Sequence, residues 1–191
     1  MHKSTALLAG KLILTMPVAY ALLYPLLHPP VRGGVFKELA LLGPWGSLAV
    51  AALFLGLVVL YCRDLARALI LVQASARAAT PRSVWLMLVI PYNFVEDFFI
   101  VANVARSLRQ EAQSNPALHG IQHFGMLSGM AWCSAQIVSL LPHEIGSLAG
   151  VVALPFWIVH WRCIRRVNRL LATPALNAQA SGAAHPIDRP L

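Results

Sequence analysis

Charge is scarce in this chain. Of its 191 residues, 12% are Asp, Glu, Lys or Arg, against about 25% in an average soluble domain. That shortage excludes an ordinary soluble fold, and no stretch is left over for a sizeable soluble domain. Acids are scarcer still: seven stand against fifteen Lys and Arg, for a net charge of +8. Cysteine is limited to Cys62, Cys133 and Cys163, an odd count with no redox-motif spacing. Neither a disulfide framework nor a thiol–disulfide site is indicated. Also missing are Gly-x-Ser-x-Gly, His-Glu-x-x-His and a phosphate-binding loop. The reading leans away from an enzyme, although scattered catalytic residues would leave no such trace. No internal repeat is visible. The basic excess is not interleaved with exposed stacking aromatics, which argues against nucleic acid as a partner.

What the chain has in abundance is apolar sequence, 58% of the residues. A spanning helix needs about 20 mostly apolar residues, and several windows qualify. The expectation is an all-α membrane protein, one polytopic domain over residues 1–171, followed by a disordered tail over 172–191 that is rich in Ala, Pro, Asn and Ser. Four spans are expected, at about 6–27, 41–61, 124–141 and 145–161. Lys11 falls inside the first and is expected to snorkel to the near interface. Ala19-Tyr20-Ala21 resembles a signal-peptide cleavage site, but Lys11 interrupts the apolar region that a signal peptide needs, so a retained anchor is expected. Trp45 and Tyr61 at the ends of the second segment read as interface aromatics. Only Pro142, His143 and Glu144 separate the last two segments, which predicts an antiparallel hairpin.

A fifth apolar run, Val84 to Val104, contains Pro91-Tyr92-Asn93 and the adjacent acids Glu96 and Asp97. Its topology follows from the cations, which favour the cytoplasmic side of short loops. If it spans, eight cations lie inside (Arg32, Lys37, Arg106, Arg109, Arg162, Arg165, Arg166, Arg169) and five outside (Lys3, Arg63, Arg67, Arg77, Arg82). If it enters and returns on one side, eleven lie inside and only Arg32 and Lys37 outside. The second split is cleaner. Proline also suits a first helical turn and breaks a helix already running. A single mid-membrane Asp costs about 2.5–3.5 kcal/mol on insertion scales. An interrupted re-entrant or interfacial segment over about 84–110 is therefore predicted between the second and third spans, with both termini cytoplasmic. Asn93, Glu96, Asn103, Ser107 and Gln110 would share one face of its helix, and Phe94, Phe98, Val101, Ala105 and Leu108 another.

Trp85, five residues and then Pro91-Tyr92-Asn93, placed between two spanning pairs, resembles bacterial membrane families known as domains of unknown function, which carry an interrupted third segment. The resemblance covers the central two-thirds of the chain. It implies a bacterial inner-membrane protein and no activity. Glu96 and Asp97 do not map onto its pattern.

Four constellations are candidates for function. Glu96 and Asp97, with Asn93 and Asn103 nearby, could form a proton relay or cation site; the alternative is a helix start favoured by the dipole and paired with Arg63 or Arg82. Neighbours on a helix point about 100° apart, so the two acids cannot share one face and are a poor pair for joint acid–base work. His119, His123, His160 and Cys163 could hold a metal or haem if the hairpin brings them together, though no cofactor is predicted. Gly125-x-x-x-Gly129 and Gly146-x-x-x-Gly150 allow close helix approach, within the bundle or to a partner chain. Arg162, Arg165, Arg166 and Arg169 are accounted for by anionic lipid. The leading expectation is a small, non-enzymatic inner-membrane protein that binds a partner in the bilayer, another membrane protein or a second copy, as an accessory, assembly or immunity-type subunit. Bacteriocin immunity proteins resemble it in being small, basic and four-spanning, without a shared motif. A proton- or ion-coupled transporter or channel, and a metal or haem protein, are the alternatives.

Overall fold

The computed structural model describes residues 2–27, 41–141 and 144–183. All regular structure among them is helical: α1 (His2–Leu27), α2 (Gly43–Leu71), α3 (Asn93–Glu111), α4 (Met126–Val138) and α5 (Glu144–Ala183), with 3-10 turns at Ala74–Ala76, Pro81–Leu88 and Pro116–Leu118. Three helices are long and apolar enough to cross a membrane, over Thr5–Tyr24, Gly43–Leu71 and Glu144–Thr173. The fourth expected span, 124–141, holds only the 13 residues of α4 as α-helix, about 20 Å at 1.5 Å per residue. Its start is fixed by left-handed backbone at Phe124 (φ 43°) and Gly125 (φ 73°). Its end tightens into a 3-10 turn through Leu140 N–H to the Ile137 carbonyl. α5 runs past the expected tail boundary at 172, through Ala183. His143 and residues 184–191 lie outside the described residues.

The core is built from heptad-like stripes. On α5, Ala153, Trp157, His160, Ile164, Val167 and Leu171 are buried at alternating spacings of four and three, the pattern that keeps one seam of a helix against its neighbours. α2 contributes Tyr61, Leu65 and Ala68, with Val72 just past its end, and α3 contributes Asp97, Val101, Val104, Leu108 and Glu111. The first half of α2 and of α5 is largely exposed, with Leu48, Leu53, Leu55, Ile145, Leu148 and Val151 all more than half open. The packed core therefore sits at one end of the two long helices.

Directions follow from the contacts. Phe54 meets Trp157 and Tyr61 meets Trp161, with ring centroids 5.9 and 6.0 Å apart. Asp64 then accepts from Trp161 Nε1 at 2.7 Å, and its backbone carbonyl accepts from Asn168 Nδ2 at 2.8 Å. Residue numbers rise together, so α2 and α5 are parallel. Between α4 and α5 they fall: Gly125 meets His160, while Trp132 stacks on Trp157 at 6.3 Å. That pair is antiparallel.

The segment with Pro91 does not form one long helix. Pro81–Leu88 is 3-10, and α3 starts at Asn93. Val84 and Met87 turn inward; Trp85, Leu86, Val89 and Ile90 are exposed. Ile90–Pro91 is a cis peptide bond. Glu96 in the first turn of α3 and Arg109 in the last complement the helix dipole. Both faces of α3 are used, because Ser107 on its polar side is fully buried. Ser107 Oγ donates to the Asn103 carbonyl and accepts from Ala78 N–H at 2.8 Å.

Candidate functional site

Glu96 and Asp97 are adjacent, and helix geometry sends them apart. Glu96 turns toward α1. Lys11 Nζ donates to Glu96 Oε2 at 2.5 Å, with the two side chains 12% and 7% exposed. The same ammonium lies 4.2 Å from the centre of the Phe99 ring. Lys11, Thr15 and Val18 form the inward stripe of α1. Lys11 is thus an ion-pair partner inside the protein rather than a snorkelling cation, and Glu96 pairs with it rather than with Arg63 or Arg82.

Asp97 turns into the core, where it is 2% exposed. Its Oδ1 has no hydrogen-bond partner. Burial, and after it the neighbouring Glu96 carboxylate, hold the Asp97 carboxyl well above the ordinary carboxylate range. Tyr61 and Cys62 on α2 and Cys133 on α4 are buried in the same core. Tyr61 is fully buried, which corrects its reading as an interface aromatic. Its ring stands edge-on to Trp132, Trp157, His160 and Trp161, with centroids 5.5 to 6.0 Å away. Tyr61 Oη, Trp157 Nε1 and His160 Nε2 are buried without partners as well. Titratable groups from four helices thus converge on one apolar core.

His160 is seated by glycine. Its Nδ1 lies 2.8 Å from the Gly125 carbonyl oxygen. A Cβ at Gly125 would come within 2.6 Å of His160 Nδ1, and one at Gly129 within 2.9 Å of that atom and 2.5 Å of Val101 Cγ1. The Gly125-x-x-x-Gly129 pair is therefore spent on internal packing. Gly146 abuts the Leu141 carbonyl in the hairpin turn, and Gly150 is half-buried.

The four metal candidates are not gathered. His160 is buried and engaged by Gly125, Cys163 is half-buried, and His119 and His123 are exposed. Among the described residues, no group of three or more His, Cys, Asp or Glu could hold a metal ion. Asn93 is half-buried with Oδ1 unpartnered, and Asn103 offers its carbonyl to Ser107. Of the arginines on α5, Arg165 lies 3.8 Å from Asp64 while remaining largely exposed, and Arg162, Arg166 and Arg169 are exposed.

Three polar residues that hold the core together carry no motif. Asp64 bridges α2 and α5, as described. Glu111, 2% exposed, accepts from Gln73 N–H at 2.9 Å and from Asn115 Nδ2 at 3.1 Å. With Ser107, it pins the loop after α2 onto α3. Only an acid interrupting a helical apolar stripe, as Glu111 does three residues after Leu108, could have signalled such a role.

No known family, no curated protein and no solved structure matches this chain.

Proposed function

We propose that this chain is a four-span bacterial inner-membrane protein, both termini cytoplasmic, that takes up and releases a proton at Asp97 as part of proton- or ion-coupled transport. The observation that carries the reading is the Asp97 carboxyl, 2% exposed in the core with one oxygen unpartnered. An ionisable group in such a place is expensive and is by default a functional candidate. Glu96 is paired with Lys11, whereas Asp97 has no ion-pair partner among the described residues. Four crossings are supported by the helix directions. Two parallel spans, α2 and α5, require the chain to return across the membrane between them, and α4 runs antiparallel to α5. The eleven-to-two cation split supports the 3-10 segment and α3 lying at the cytoplasmic face, with Trp85 and Ile90 exposed to the interface. The test is proton flux in reconstituted vesicles carrying a pH gradient. Wild-type protein should collapse the gradient and Asp97→Asn should not, at equal insertion. Wild-type vesicles that hold the gradient as empty ones do would overturn the reading.

A second reading, an accessory, assembly or immunity-type subunit, is favoured by α1. That helix is fastened by the Lys11–Glu96 pair, and Leu7, Leu8, Leu12, Ile13, Leu14 and Met16 are all more than half exposed. Support from outward glycines is gone for Gly125 and Gly129. A photo-crosslinking residue at Ile13 or Met16 should then give one discrete protein adduct, a second copy included. Lipid adducts alone at both positions would end this reading.

A further inference from the structure

A groove outside the Asp97 core lies between α2 and the Pro81–Leu88 turn. Arg63, Arg67 and Ile70 fall at i, i+4 and i+7 on one face of α2, and Arg82 and Trp85, three apart, eclipse each other on the 3-10 turn. With Ala66 and Pro81 they enclose about 310 Å³. All three arginines are exposed, and among the described residues none has a carboxylate partner. No acid lines the groove. Its floor is apolar, with Ile70 60% and Trp85 41% exposed. The groove sits where the apolar run of α2 ends: from Trp45 to Arg63 is about 27 Å at 1.5 Å per residue, close to the thickness of a hydrocarbon core.

We propose that this groove is a binding site for one anionic phospholipid, its phosphate held by Arg63, Arg67 and Arg82 and its acyl chain laid along Trp85 and back toward the exposed Val59 and Leu60, one turn before Arg63 on the apolar run of α2. Charge complementarity selects the occupant. A soluble anion would satisfy the cations and leave the apolar floor uncovered, whereas a neutral lipid would cover the floor and leave three cations unmatched. Arginine suits the phosphate because its planar fork donates two parallel hydrogen bonds. The site differs from the α5 arginines, which line no apolar groove in common with it.

The experiment is native mass spectrometry of the full chain in detergent, titrated with phosphatidylglycerol or with phosphatidylcholine of the same acyl chains. Wild-type protein should retain one phosphatidylglycerol with at least a tenfold preference, given the attraction each arginine adds near a lipid surface. R63Q/R67Q/R82Q should lose that preference with its helical circular dichroism intact, and R82Q alone should weaken it. R162Q/R166Q/R169Q removes equal charge and should keep it. Equal retention of both lipids by wild type, or equal loss in the two triple variants, would overturn the proposal. Displacement by inorganic phosphate at concentrations comparable to the lipid would also overturn it, as the mark of an anion site alone.

Discussion

Lys11→Met is the most informative single change. In wild type the Lys11 and Glu96 side chains are 12% and 7% exposed and in direct contact. A surface ion pair contributes about 0–1 kcal/mol. Breaking a buried pair by removing one partner costs about 3–5 kcal/mol, because the remaining charge has lost both its partner and its water. Glu96 keeps some help from the N-terminal turn of α3, about 0.3–1 kcal/mol. The Phe99 contact is lost with the ammonium, about 0.5–1 kcal/mol. The expected net loss for Lys11→Met is about 3 kcal/mol, roughly a 150-fold shift in the folding equilibrium. Glu96→Gln should cost a comparable amount by stranding Lys11. The double variant buries no lone charge and should return to within about 1 kcal/mol of wild type. Denaturant titration in mixed micelles across the four proteins gives the coupling energy directly. A coupling below about 1 kcal/mol, with both single variants near wild type, would show that the pair behaves as a surface contact and that α1 is held by something else.

Gly129→Ala should lower stability by about 1–3 kcal/mol through overpacking against Val101 and His160, and near-ultraviolet circular dichroism of the tryptophan cluster should change with it; an unaltered melting temperature would refute the close approach. Asp97 makes stability fall as pH rises. The fold holds its proton more tightly than the unfolded chain, so stability is full below the ordinary value of 3.8 and is lost as pH climbs toward the raised folded value. Within that window the slope is about 1.4 kcal/mol per pH unit. Asp97→Asn should abolish this slope and be the more stable protein at pH 7, and parallel wild-type and variant profiles between pH 4 and 7 would contradict it. Glu111→Ala leaves Gln73 N–H and the Asn115 amide without their acceptor, at about 1–3 kcal/mol; hydrogen exchange at Gln73 should accelerate, and unchanged protection there would count against the role.

The helical class and the apolar runs of α1, α2 and α5 were legible because hydropathy over 20 residues is a local property. So was the interruption at Pro91, since proline acts on its own backbone and α3 starts two residues later. The partners were not legible. Lys11 and Glu96 are 85 residues apart, and nothing local distinguishes a lysine that snorkels from one that finds an acid. Tyr61 looked like an interface aromatic because it ends an apolar run. It is buried because that end of α2 meets α4 and α5. Glu111 and Asp64 went unnoticed, and Ser107 was read only as part of a polar face, for the same reason: each acts through long-range hydrogen bonds. The glycine pair was read as a packing motif, but its occupant, His160, depended on the hairpin register.

The parallel course of α2 and α5 sets a timetable. Asp64 cannot meet Trp161 and Asn168 until the ribosome has added another 97 to 104 residues. At about 5–20 residues per second that takes roughly 5–20 s. For that interval the aromatic and acidic face of α2 has no α5 to cover it, and neither does α4. The last helix is the keystone: a nascent chain stopped before it leaves Tyr61 without the Trp157, His160 and Trp161 rings that cover it in the finished molecule.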